Sequence, residues 1–212
     1  YSLALRQNLT LIQAWSGQVW CLLDLGEYQE AMTWASKALE RFPAHSDLLA
    51  AKGVSMIRQG WFAEALPFLD QAINQPGASR YAWVARGEAW LMKGGRNAQF
   101  CFMKALEGGV GPDWFARFHI GMAFVRHGQP GEAIPHFLVA SQACPESAFL
   151  LAQLALCQER LGNTEAAVTY MRRALQLRPG DSALIDLMVR MERPGLWGRV
   201  KRAFRVLTAQ GA

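Results

Sequence analysis

The chain has 212 residues, of which 51% are hydrophobic and 18% charged, with a formal net charge of +5. That apolar share is high enough to leave surface for a partner beyond what an interior needs, yet no apolar run approaches the roughly 20 residues of a bilayer-crossing helix. Cys21, Cys101, Cys144 and Cys157 show no short paired spacing, which argues against a disulfide framework or a metal finger and for buried thiols in a reducing, cytoplasmic setting.

The elements follow one another as helical hairpins. Residues 1–11 match the end of such a hairpin, since Ala4 stands one full period before Ala38, and they read either as the remnant of a preceding unit or as an irregular extension continuous with the first helix. Residues 12–45 carry Trp15, Trp20 and Leu25 up to Gly26, then Tyr28, Ala31, Ala35 and Ala38 up to Pro43. Residues 46–79 start at a Ser46 cap and continue through Leu49, Gly53 and Ile57 to Gly60, then Phe62, Ala65 and Ala72. Pro67, like Pro135 later, stands early enough in a second helix to bend it without breaking it.

Residues 80–111 contain Trp83, Gly87, Trp90 and Leu91 before Gly94, and Gly108-Gly109-Val110-Gly111-Pro112, which leads into the next unit, is the stretch expected to be the loosest joint. In residues 112–146 Asp113 is placed to cap a helix through Trp114, Phe118, Ile120 and Phe124 that stops at Gly128. Pro130 then opens the second helix, where a missing N–H costs nothing. Residues 147–180 run through Leu151, Leu154 and Ala155 to Gly162, with Asn163 as the next cap. A single helix over residues 181–192, begun by Asp181 or Ser182, would cover the last apolar face, and residues 196–208 form a basic amphipathic helix.

These hairpins keep one period. Gly26, Gly60, Gly94, Gly128 and Gly162 recur at a constant 34-residue step. Ala31, Ala65, Ala98, Ala133 and Ala167 follow at 34, 33, 35 and 34, as do Ala38, Ala72, Ala105, Ala140 and Ala174. Small residues there let antiparallel helices approach, and Phe68, Phe102, Phe137 and Met171 fill the space beside the crossing. A two-helix unit of about 34 residues with phased Gly, Ala and Pro resembles the tetratricopeptide repeat family over residues 12–179. The resemblance implies an all-α solenoid, a right-handed superhelix of five helix pairs with a C-terminal capping helix. It also implies a non-enzymatic scaffold that binds a protein or peptide segment along the first helix of each pair.

Carried over position by position, the family's groove falls on Trp20, Val54, Arg58, Val84, Glu88, Phe115, Phe118, Met122, Arg126, Phe149, Leu156 and Arg160. Phe and Met there favour a ligand with apolar anchors, concentrated where Phe115, Phe118, Met122, Phe149 and Leu156 lie. One branch of the family grips a terminal carboxylate with Lys and Asn. The matching positions here are Ser16, Trp20, Ala50 and Val54, so that clamp is missing. Arg58, Arg126 and Arg160 would meet acidic groups at the rim.

No catalytic set is found: there is no phosphate-binding loop, no GxSxG and no HExxH. His119, His127 and His136 lack a completing Cys, Asp or Glu, so no metal and no cofactor are expected. Nucleic acid is disfavoured because basic residues are not interleaved with aromatics along one face. From residue 193 onward the chain carries Arg193, Arg199, Lys201, Arg202 and Arg205 and no acid. With Trp197 and Phe204 on its apolar side, this segment docks back on the repeats, anchors to an anionic membrane surface or meets an acidic partner. Besides the free-standing scaffold, two roles remain open: the regulatory or substrate-presenting part of a larger enzyme, and a membrane-peripheral adaptor.

Overall fold

A computed structural model describes residue 8 and residues 10–95, 97–107 and 113–192. Eleven α-helices are present among the described residues: α1 Ile12–Leu25, α2 Tyr28–Arg41, α3 Ser46–Arg58, α4 Phe62–Ile73, α5 Arg80–Met92, α6 Ala98–Glu107, α7 Asp113–Arg126, α8 Pro130–Ala143, α9 Ala148–Arg160, α10 Thr164–Leu177 and α11 Ser182–Glu192. The joint expected at Gly108 to Pro112, the basic segment 196–208 and most of residues 1–11 lie outside the described residues. Contacts divide the chain into two compact units, Tyr1–Gln129 and Pro130–Ala212.

In the first unit α1, α3, α5 and α7 pack successively on one another, while α2, α4 and α6 each pack on the odd-numbered helices on either side of them. The turns explain the pairing. Gly26 has φ 82° and Gly162 φ 80°, left-handed values that end a helix at little cost only without a Cβ; Gly60, Gly94 and Gly128 turn alike. The phased alanines then meet at the crossings: Ala31, Ala38, Ala65, Ala72, Ala98 and Ala105 are all buried. At Gly53 and Gly87 the approach is closest, because a Cβ on either would strike Leu69 or Phe102 respectively. Leu69, not Phe68, therefore fills the α3–α4 crossing. Phe68 is half-buried, and the Lys52 ammonium lies 4.3 Å from its ring centroid.

In the second unit α8 packs on α9, α9 on α10 and α10 on α11, with Phe137, Leu154, Ala155, Met171 and Ala174 fully buried between them. α11 lays Leu184, Met188 and Met191 against the rest of this unit.

Several ends differ from the sequence expectation. Asp181 does cap α11, its Oδ1 accepting from Ala183 N at 3.1 Å and Leu184 N at 3.3 Å. Ser79 and Ser147 cap α5 and α9 through their hydroxyls. Ser46 is instead the first residue of its helix, and its hydroxyl donates to the Ala72 carbonyl at 3.0 Å, tying the start of α3 to the end of α4. Asn163 stands at the cap position of α10 but donates to Gln158 Oε1 at 2.8 Å instead. Asp113 lies inside α7 and accepts from Arg117 Nε at 2.7 Å. Arg80, at the start of α5, donates to the Ala105 carbonyl at 2.9 Å, which satisfies an end that α6 leaves open. Pro67 and Pro135 stand within continuous helices α4 and α8. Among the cysteines Cys101 and Cys157 are buried free thiols, Cys144 is half-buried, and Cys21, contrary to expectation, is exposed.

Candidate functional site

The helices that carry the candidate residues of the first unit are α1, α3, α5 and α7, and two clusters join them. The first is ionic. Glu88 on α5 is only 2% exposed, so its charge needs partners. Arg58 from α3 grips both carboxylate oxygens. Arg126 from α7 does the same, Nε to Oε1 at 2.8 Å and a terminal nitrogen to Oε2 at 2.9 Å. His127 Nε2 lies 3.7 Å from Oε1, too far for a hydrogen bond, and adds attraction only when protonated. Burial alone would raise the Glu88 carboxyl, but Arg58 and Arg126 hold it well below the usual carboxylate range. Asp24 on α1 feels the same two guanidinium groups, which oppose the rise that desolvation gives its carboxyl.

The second cluster is aromatic. Trp20 on α1 meets Tyr81 on α5 edge-on at 4.0 Å between centroids, and His119 on α7 at 6.2 Å. His119 also lies 5.3 Å from Tyr81, 4.4 Å from Phe115 and 5.0 Å from Phe118. Enclosed by rings, with Arg126 and Arg58 nearby, its imidazole is pushed down to about 4, by burial first. The Tyr81 hydroxyl is shifted upward by burial, with Glu88 adding to the effect.

The twelve candidate groove residues therefore divide. Trp20 joins the aromatic cluster and Glu88 the ionic one, where Arg58 and Arg126, two of the three arginines expected to meet acids from outside, are held by the chain's own carboxylate. Val54 and Val84 are buried at 1% exposure each and offer no surface to a ligand. Phe118 and Met122 are half-buried, whereas Phe115 is 44% exposed. In the second unit α9 carries Phe149, 55% exposed, with Leu156 half-buried and Arg160 exposed. The candidate surface anchors Trp197, Arg199, Lys201, Arg202, Phe204 and Arg205 lie outside the described residues. His119 and Tyr81 are the members of the aromatic cluster that the groove positions missed. For Tyr81 the signal was phase, since Tyr81, Phe115 and Phe149 recur at the same 34-residue step as the turn glycines, whereas His119 has Ala85 and Gln153 at its phase.

Away from this layer, an open depression of about 590 Å³ lies among α2, α3 and the start of α4, lined by Met32, Lys37, Lys52, Met56, Trp61 and Glu64 among others. Among the described residues no helix is long and apolar enough to cross a membrane, and no three His, Cys, Asp or Glu converge as metal ligands would.

The tetratricopeptide repeat sequence profile matches residues 4–46 and 118–182, just over half of the chain. Among solved structures, PilF of Pseudomonas aeruginosa superposes with a TM-score of 0.56 at 16% identity, over 85% of this chain and 82% of that one. The Cut9–Hcn1 assembly of the APC/C gives 0.60 at 16% identity, over 91% of this chain and 38% of that one. Human IFIT1, solved as a dimer with PPP-AAAA, gives 0.57 at 21%, over 85% of this chain and 45% of that one. At such identities the likeness is one of fold, and the chain spans less than half of the latter two. No curated protein matches it in sequence.

Proposed function

Because the chain belongs to the tetratricopeptide repeat family, whose members are protein-interaction scaffolds, we propose that it binds protein segments through apolar anchors, and that each unit offers a seat of its own, at Phe115 in the first and at Phe149 in the second. The observation that carries this reading is the fate of one repeat phase. Tyr81, Phe115 and Phe149 share it, and Tyr81 is packed on Trp20, whereas the two phenylalanines keep 44% and 55% of their surface exposed. Large exposed aromatics on a helical face are the residues that contribute most when a partner covers them. Phe118 and Met122 on α7 and Leu156 on α9 supply adaptable apolar area beside them.

The charge arrangement argues for the same ligand class. Arg58 and Arg126 are committed to Glu88, so an acidic tail or a phosphate chain would have to compete with a buried carboxylate already in place. This disfavours nucleic acid and acidic peptides at the first unit.

The test is selection of peptides from a random displayed library on the full chain, followed by affinity measurement against Phe115→Ala and Phe149→Ala. We expect selected peptides to carry aromatic or aliphatic anchors and each variant to bind them roughly tenfold more weakly, equivalent to about 1.4 kcal/mol. Equal affinity for both variants, with circular dichroism unchanged, would overturn the assignment.

A further inference from the structure

The first helix of each pair has one position that recurs with the repeat. It falls on Val19, Gly53, Gly87, Gly121 and Ala155 at 34-residue steps, and all five are buried. In α3 and α5 it is the partner helix that covers it, through Leu69 and Phe102. The next member of the series is Val189 on α11, and it is 42% exposed. Ile185, one turn earlier, is likewise 42% exposed, while Leu49 and Leu151 at its phase are buried. α11 thus has the seat for a second helix, with apolar side chains on it.

The chain beyond Glu192 supplies a matching occupant. Gly195, Val200, Phe204 and Leu207 follow Gly162, Ala167, Met171 and Ala174, the residues that turn and bury α10, each at the same 33-residue step. That step already occurs between Ala65 and Ala98. The connection fits as well: Arg193, Pro194 and Gly195 would join the helices, as Leu161, Gly162 and Asn163 join α9 to α10. We propose that residues 196–208 form the second helix of a sixth pair, seating Val200, Phe204 and Leu207 against Ile185 and Val189. Val replaces Gly or Ala on both sides of this crossing, so the two axes stand farther apart than in α3–α4 or α5–α6. The basic residues 199, 201, 202 and 205 then face outward as a positive strip, and the apolar face is unavailable to a lipid surface.

The experiment is a double-mutant cycle in the full chain with Val189→Lys, Phe204→Lys and both together, read by thermal unfolding and by amide hydrogen exchange of residues 185–208. Each single substitution should lower the unfolding midpoint by several degrees, the double should fall little further than the worse single, and exchange should speed up on both segments together. Additive effects, or no effect of Phe204→Lys, would overturn the pairing. So would co-sedimentation of the native chain with phosphatidylserine vesicles that Phe204→Lys abolishes while leaving the midpoint unchanged, since that places the face in lipid. A dimer by sedimentation that Val189→Lys dissociates and Phe204→Lys does not would overturn it too, in favour of a second copy on the seat.

Discussion

The ionic and the aromatic clusters of the first unit join the same layer of helices by opposite physics. Around the buried Glu88 of α5 the Arg58 side chain from α3 is mostly covered while Arg126 from α7 reaches in from the surface, and each carboxylate oxygen is satisfied by a guanidinium. Around His119 rings from α1, α5 and α7 meet edge to face, partly open to solvent and with no charge at neutral pH. Edge-to-face contacts tolerate small shifts, because their energy is spread over many weak atom pairs. A buried ion pair does not, because losing one member leaves the others uncompensated. The contrast implies a rigid bolt beside an adaptable contact, and the adaptable side is the one continuous with the exposed Phe115.

The largest effect should come from breaking the bolt. Glu88→Ala leaves Arg58 and Arg126 facing each other with no anion between them, at a cost of about 3–5 kcal/mol, to be read by urea unfolding. A loss below about 1 kcal/mol would show that water already compensates these charges and would erase the contrast.

Acid should act on the aromatic side first. The His119 imidazole falls from 6.5 to about 4 in the folded chain, so its contribution is complete above pH 6.5 and is lost as pH drops through 4. The slope in that window approaches about 1.4 kcal/mol per pH unit, on the order of 3 kcal/mol in all. Glu88, depressed below its ordinary 4.5, loses its share only at lower pH, so the two windows separate. Asp24 runs the other way: its raised carboxyl stabilises below 3.8 and loses that share as pH rises through its folded value. His119→Phe should flatten the stability profile between pH 6.5 and 4, and an unchanged profile would assign the slope elsewhere.

Trp20→Ala removes the α1 side of the aromatic cluster and should cost about 2 kcal/mol, less than a fully buried Trp because the ring is half-exposed. Thermal unfolding would check it. A loss equal to that of Glu88→Ala would mean that the rings, too, act as a bolt.

How much of this was legible in the sequence depended on range. The helix ends came from local chemistry: the phased glycines turn with positive φ, and the phased alanines sit at buried crossings. The filler at α3–α4 was misplaced by one residue, from Leu69 to Phe68, because Phe68 stands a full 34 before Phe102 while the alanines there step by 33; counted from Ala65 the phase gives Leu69, and the close approach to Gly53 agrees. The Glu88 cluster was half legible. Arg58 and Arg126 come one helical turn after Glu88's phase, on the inner helices before and after it, which puts opposite charges within reach across neighbours. The contact of Trp20 with His119 was not legible, since it spans four hairpins and depends on how tightly successive helices turn. Typing by family position likewise could not tell Val54 and Val84, which are buried, from Phe115, which is not.

The most direct measurement is photo-crosslinking of a library-selected peptide from two places, Phe115 on α7 and Phe100 on α6, each replaced in turn by a photoreactive phenylalanine. Both rings are similarly exposed, at 44% and 49%, but only Phe115 belongs to the layer that carries the two clusters. Capture from position 115 and not from 100, suppressed by unlabelled peptide, is the predicted result, and capture from position 100 alone would contradict the account.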